Sequence, residues 1–251
     1  EYFLDSHLNT FKKSVFFKEG DTILDPFMGS GTTLVQSSEL GLNSIGIDVS
    51  DFNCLISKVK LEDYDIFKLS YTLKNAASQI ITFSNRVFDD SFDMELKERL
   101  NEFNKKYFPN PQFKHRVRKR EVEEEEGKEK LEQFLKENKD FFEKNGTKDK
   151  TILLDEKNMS GFLSKWFSKR VRQELFYYLK LAEKTDDEKI KNVMKVVLSR
   201  TARSCRATTH SDLATLKEPQ TKPYYCRKHK KICTPINTTK SHIRRYTNDT
   251  I

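Results

Sequence analysis

The chain has 251 residues, 36% hydrophobic and 33% charged, which is too polar for one apolar core throughout and calls for long solvated helices. No run of 18 apolar residues argues for a membrane span, and EYFLDSHLNTFKKSVFF is too interrupted by charge for a secretory signal. A net charge of +8 and a pI near 9.1 favour an anionic partner, nucleic acid first, and four cysteines in a chain this long fit a reducing cytoplasm rather than a disulfide scaffold.

In chain order, TILDPF reads as a short apolar strand, and GSGTTLVQSSELG as a glycine turn running into a helix that stops at Gly41. SIGIDVS, with Ile45 and Ile47 alternating, is a second strand, and DFNCLISKVKL a second helix. Strand, helix and strand within some 30 residues predict a parallel βαβ crossover and an α/β fold. Residues 66–106 carry Leu69, Leu73, Ala76 and Ile80 at helical spacing. Pro109, Pro111 and the basic run KHRVRKR predict a loop over 107–120. Residues 121–145 read as one or two amphipathic helices projecting from the core, with Glu123–Glu126 on an exposed face. Two further helical patterns span 162–201, and beyond 202 the chain is expected to be polar and irregular, with prolines at 219, 223 and 235. This divides the chain into a nucleotide-binding part (1–65), a charged helical insertion (66–160) and a helical, basic segment (161–251). The absence of an initiator Met and the abrupt C-terminus suggest a piece of a longer protein.

The most informative stretch is Leu24-Asp25-Pro26-Phe27-Met28-Gly29-Ser30-Gly31-Thr32-Thr33. It sets small residues where a strand ends and a helix begins, so the backbone can turn tightly and let a ligand approach the helix N-terminus. Asp48 ends the next strand, where a carboxylate accepts from ribose hydroxyls in Rossmann-type sites. A nucleoside-containing cofactor follows. The third glycine of a dinucleotide fingerprint is missing, and no Lys follows Gly31 as a phosphate loop requires.

DPFMGSGTT resembles the cofactor motif of the amino-methylating DNA methyltransferases, the adenine-N6 and cytosine-N4 enzymes of restriction-modification systems. GIDVSDFNCLISKVK is similar to the segment that follows in that family, and KWFSKRVRQEL, SRTARSCRATTH and PYYCRKHKKICTP resemble parts of one subgroup. The resemblance implies a Rossmann-like S-adenosylmethionine-dependent core with a mostly parallel sheet, here carrying a largely helical insertion. It implies that Phe27, Gly29 and Gly31 wrap S-adenosylmethionine. Asp25, Pro26, Ser30, Thr32 and Thr33 would build the turn beside its methionine part. Asp48 would hold the ribose, and Ile47 and Val49 would line the adenine. Double-stranded DNA is the implied substrate, and a cognate restriction endonuclease or the remainder of the enzyme the implied partner.

The family's catalytic motif, (Asp/Asn/Ser)-Pro-Pro-(Tyr/Phe), has no counterpart here, because no two prolines are adjacent. It is expected downstream of Ile251, upstream of Glu1, or on a separate chain, so that these residues alone bind cofactor without methylating. A non-catalytic DNA-binding or specificity subunit is the first rival reading. An RNA or small-molecule methyltransferase and a dinucleotide oxidoreductase are the others.

Arg200, Arg203 and Arg206, then Arg227, Lys228, Lys230 and Lys231, and then Arg244 and Arg245 are candidates to neutralise phosphates. Lys165, Lys169, Arg170 and Arg172 form another basic group, whose Trp166 and Phe167 are expected to pack inward. Cys226-x2-His229-x3-Cys233 has thiolate and imidazole at a spacing that can ligate zinc, with Cys205, His210 or His242 as a fourth ligand. Cys54 is expected to be buried packing, and His7 and His115 to have no special role.

Overall fold

The computed structural model describes residue 4 and residues 14–121, 124–144, 161–210, 218–236 and 238–251. His7 and Glu123 lie outside them. The chain divides into two compact units, one of residues 1–73, 181–199 and 251, the other of residues 74–180 and 200–250. The architecture is a helix-rich α/β arrangement with short sheets. No described helix is long and apolar enough to cross a membrane.

In the first unit, β1 (Thr22–Asp25) runs parallel to β2 (Asn43–Gly46), with Leu24 opposite Ile45 and Asp25 opposite Gly46. The intervening helix α1 (Thr32–Glu39) makes this the parallel crossover the sequence predicts. Its apolar side is short: Leu34 and Ser37 are buried, and the chain reverses at Gly41 with φ 69°. Helix α2 (Asp51–Leu61) begins at Ser50, whose hydroxyl accepts from the Asn53 N–H, and Asp51 in its first turn suits the positive helix end. One face of the sheet buries Ile23, whereas Leu24 and Ile45 are each more than half exposed. In residues 181–199, Ile190, Val193, Met194 and Val197 follow helical spacing and are all buried.

Helix α3 (Ile66–Val87) buries Leu69, Leu73, Ala76 and Ile80 as expected, and α4 (Ser91–Tyr107) follows. The second unit departs from expectation in three places. Residues 107–120 are not a plain loop: α5 (Gln112–Arg118) forms once the chain clears Pro111, which needs no N–H at a helix start. The charged helices α6 (Glu124–Glu137) and α7 (Lys139–Lys144) do not project from a core. Their Phe134 and Phe141 enter one with Leu96, Leu100, Phe103, Phe108, Phe113 and Ile232. The third departure lies beyond residue 202. After α8 (Gly161–Trp166), α9 (Lys169–Glu183) and α10 (Glu188–Ser204), the chain makes the antiparallel hairpin β3 (Tyr224–Cys226) and β4 (Lys231–Cys233), then helix α11 (Lys240–Asn248). Asn104, on α4, anchors β4: its amide donates to the Ile232 carbonyl at 2.9 Å and its carbonyl accepts from the Ile232 N–H at 3.0 Å.

Candidate cofactor turn and basic surface

Past β1 the chain makes a glycine turn closed by hydrogen bonds to the next strand's end. Met28 N–H donates to the Ile47 carbonyl at 3.1 Å, and Gly31 N–H to the Met28 carbonyl at 2.8 Å. Gly29 and Gly31 have φ 51° and 75°. Gly31 is also a point of close approach, because a Cβ there would lie 2.5 Å from Ser57 Oγ and 2.8 Å from Ser57 Cβ.

Asp48 is the hub. Its Oδ2 accepts from Gly29 N–H at 2.9 Å, and its Oδ1 from Ser50 N–H at 2.8 Å and Asn53 Nδ2 at 3.0 Å. The Ser50 and Asn53 bonds hold its carboxyl below the usual aspartate range. A carboxylate has about four acceptor sites. Described residues use three, which leaves one on Oδ2, the oxygen that faces Gly29. Lys60 Nζ donates to the Ser30 carbonyl at 2.7 Å, placing a cation beside the turn that the sequence did not single out.

The other turn residues are also placed. Asp25 Oδ1 accepts from the Phe27 N–H at 3.1 Å; Pro26, Ser30 and Thr32 are exposed; Thr33 is half-buried, and its carbonyl accepts from Ser37 Oγ. Phe27 is 88% exposed, and Ile47 and Val49 are exposed as well. Cys54 is not buried packing: it is half-buried, with Sγ 3.8 Å from the Asp48 carbonyl.

Among the basic candidates, Arg227, Lys228, Lys231, Arg203 and Arg244 are exposed. Arg200 lies over the Tyr246 ring at 4.5 Å and pairs with Asp249, as Arg245 does at 3.5 Å. Arg206 is half-buried and donates to the Arg203 carbonyl. Trp166 and Phe167 pack inward as expected. Arg170, in the same basic group, is 4% exposed and held by Glu174, Asp90 and Asp93, so it is not presented to a phosphate.

The thiol–imidazole stretch gathers too. His210, Cys226, His229 and Cys233 bring one ligand atom each within 4.8 Å of all the others. Cys205 is not among them: it is buried against Trp166, Phe167 and Val171, and burial raises its thiol pKa. His242 instead stacks near Tyr246.

The DNA methylase family (N6_N4_Mtase) matches residues 14–59, which contain the whole glycine turn and Asp48. The chain is 49% identical over 255 aligned positions to the type II methyltransferase M.MjaII of Methanocaldococcus jannaschii, covering 100% of this chain and 46% of that protein. Through these residues the chain is similar to the amino-group DNA methyltransferases of restriction-modification type. Shorter matches join it to M.BsoBI of Geobacillus stearothermophilus (68% identical over 31 residues, 12% of this chain and 6% of that protein). Another reaches M2.DpnII of Streptococcus pneumoniae (53% over 45 residues, 18% and 17%). No solved structure matches. The chain spans under half the length of its long relative, and that likeness covers the whole of this chain.

Proposed function

We propose that this chain supplies the cofactor-binding side of a site-specific DNA methyltransferase in a restriction-modification system. The enzyme moves the methyl group of S-adenosylmethionine to the exocyclic amino group of adenine or cytosine. The observation that carries this reading is the bond from Gly29 N–H to Asp48 Oδ2. It brings the side-chain-free turn and the strand-terminal carboxylate to one spot, and the family match covers that spot. The residues fit a nucleoside-bearing group: the carboxylate keeps an acceptor for a ribose hydroxyl, and the turn carries no side chain at Gly29 or Gly31. Phe27, Ile47 and Val49 offer exposed apolar surface around it. When bound, the cofactor supplies an already electrophilic methyl group. The chain's task is then to hold and orient, which alone accounts for large accelerations in transfer between well-placed partners.

The fold proposed for the intact core is the Rossmann-like sheet. The exposed Leu24–Ile45 face supports it, because parallel sheets in α/β proteins are covered on both faces. Duplex DNA is the proposed substrate, met through Arg203, Arg227, Lys228 and Lys231, and the target base is taken out of the helix for reaction. The Pro-Pro-aromatic motif that would hold that base has no counterpart in these residues, so the role assigned here is cofactor capture and DNA contact. A cognate endonuclease, or the remainder of the enzyme, is the proposed partner.

Calorimetric titration with S-adenosylmethionine and with NAD tests the reading. Saturable binding of the first alone is expected. NAD binding would replace the reading with an oxidoreductase, and binding of neither would favour a DNA-binding or specificity subunit. Asp48→Ala is expected to weaken S-adenosylmethionine binding roughly tenfold to a hundredfold, the range for bonds to a charged acceptor. An unchanged dissociation constant would remove Asp48 from the site. Because its carboxyl pKa is lowered, the charged acceptor is present throughout the neutral range. Affinity should therefore stay flat through the usual aspartate value, near 3.9, and decline only as pH falls below it. A decline centred near neutrality would point to a different titrating group.

A further inference from the structure

We infer that His210, Cys226, His229 and Cys233 form a structural zinc centre. Four ligand atoms of two chemical kinds converge within 4.8 Å, three from the hairpin and its turn and one from His210, sixteen positions before Cys226. The edges fit a tetrahedron. Zinc–sulfur bonds of about 2.3 Å and zinc–nitrogen bonds of about 2.0–2.1 Å imply sulfur–nitrogen edges of about 3.5 Å. Cys226 Sγ lies 3.7 Å from His210 Nδ1, and Cys233 Sγ 3.5 Å from His229 Nδ1.

The surroundings are those of a ligand set. His229 N–H donates to Cys226 Sγ at 3.4 Å, a bond that stabilises sulfur as thiolate. The backbone N–H of His210 donates to the Tyr224 hydroxyl at 3.0 Å, which holds this residue beside the sulfurs. The turn that brings Cys226 and His229 together closes through Lys230 N–H to the Cys226 carbonyl at 2.7 Å, with Lys230 at φ 53°. Both cysteines are buried and both histidines half-buried.

Two thiolates and two imidazoles in a tetrahedron select zinc over harder cations. All four positions come from the protein, so the centre holds structure rather than activating water. Its consequence is local order. Arg227 and Lys228 lie between Cys226 and His229, and Lys230 and Lys231 between His229 and Cys233. The metal would fix the backbone that presents four basic side chains, in a hairpin whose strands have only three residues each.

The test is elemental analysis of the untagged chain purified without added metal, followed by cobalt substitution of the reduced apo-protein. One zinc per chain and the intense visible bands of tetrahedral, thiolate-bound cobalt are expected. Cys226→Ser and Cys233→Ser should each lose at least half of the zinc, Cys205→Ala should keep it, and His229→Cys should retain it as a three-sulfur site. This last variant keeps the test decisive if the serine variants fail to fold. Any of three results overturns the inference: no stoichiometric metal with no tetrahedral cobalt spectrum, stoichiometric iron in place of zinc, or a Cys226–Cys233 disulfide that takes up no metal after reduction.

Discussion

Arg170→Ala is expected to destabilise the second unit by about 3–5 kcal/mol, the cost of leaving a buried charge without its partner. The guanidinium donates through Nε to Glu174 Oε1 at 3.0 Å and through Nη2 to Ser84 Oγ at 3.0 Å. It also pairs with Asp90 at 2.6 Å and Asp93 at 3.3 Å. Glu174 is fully buried and decides the magnitude. Asp90 and Asp93 side chains are about a third exposed (32% and 34%), and water can compensate them. Glu174 also accepts from Ser84 at 2.5 Å, from Thr238 Oγ1 at 3.0 Å and from Thr239 N–H at 2.5 Å, so it joins α3, α9 and the start of α11. Without Arg170 those neutral donors remain, but no cation is left against its charge. Lysine should not rescue the loss, because one ammonium cannot reach three carboxylates in the planar fork that arginine provides. Urea unfolding of Arg170→Ala and Arg170→Lys measures this, and a loss under 1 kcal/mol for either would refute it. An acid titration adds a second readout. Burial works against the charged form of Asp90, but the bonds from Lys240 and Arg170 outweigh it and hold the carboxyl below its usual range. A lowered folded-state value gives stability that is complete above the unfolded aspartate value, near 3.9, and is lost as pH falls through the folded one. Arg170→Ala removes part of that lowering, so its stability should fall less steeply with acid than that of the natural chain.

This network also shows what the sequence could and could not tell. Arg170 and Glu174 stand four apart on one helix, a spacing that marks a neighbour pair. The pair was legible, yet its burial was not, since Asp90 and Ser84 come from distant positions. The glycine turn was legible because turn, strand and helix all lie within some 30 residues, and local chemistry specifies them. The charged helices α6 and α7 misled through their mean polarity. Phe134 and Phe141, seven apart, form one stripe that only the partners on α4 and β4 reveal as core. The hairpin β3–β4 was hidden because strands of three residues carry no periodicity, and Pro223 and Pro235 nearby read as breakers. His210 could not be chosen over Cys205 or His242 from spacing, because no fixed separation ties a fourth ligand to a Cys-His-Cys stretch. Gly46 went unremarked, although a Cβ there would press on the ends of the Met28 and Leu34 side chains, which would have to shift.

Gly31→Ala carries the second large effect, and one methyl group is enough to produce it. Two costs add. An L-residue at φ 75° sits in the left-handed region, at about 1–2 kcal/mol. The new Cβ must also displace Ser57, whose Oγ, Cβ and Cα would lie 2.5, 2.8 and 3.1 Å away. Ser57 is 2% exposed inside α2, so the helix has to move rather than one rotamer, and overpacking of this kind costs about 1–3 kcal/mol. The total is about 2–5 kcal/mol, read by denaturant unfolding. The two terms can be separated, because only the second depends on Ser57. In Gly31→Ala/Ser57→Gly the two closest collisions are gone, whereas the 3.1 Å approach to the Cα of residue 57 and the backbone strain remain. The double variant should therefore be less destabilised than the sum of the singles by about 1–3 kcal/mol, even though Ser57→Gly alone costs about 1 kcal/mol in a helix interior. Additive losses would show that the α1–α2 approach is not what requires glycine at 31. The same pair of variants bears on the site. If the turn serves cofactor by its shape, the double variant should regain stability faster than S-adenosylmethionine affinity, since the strained backbone at 31 still distorts the turn. Recovery of both together would assign Gly31 to packing alone.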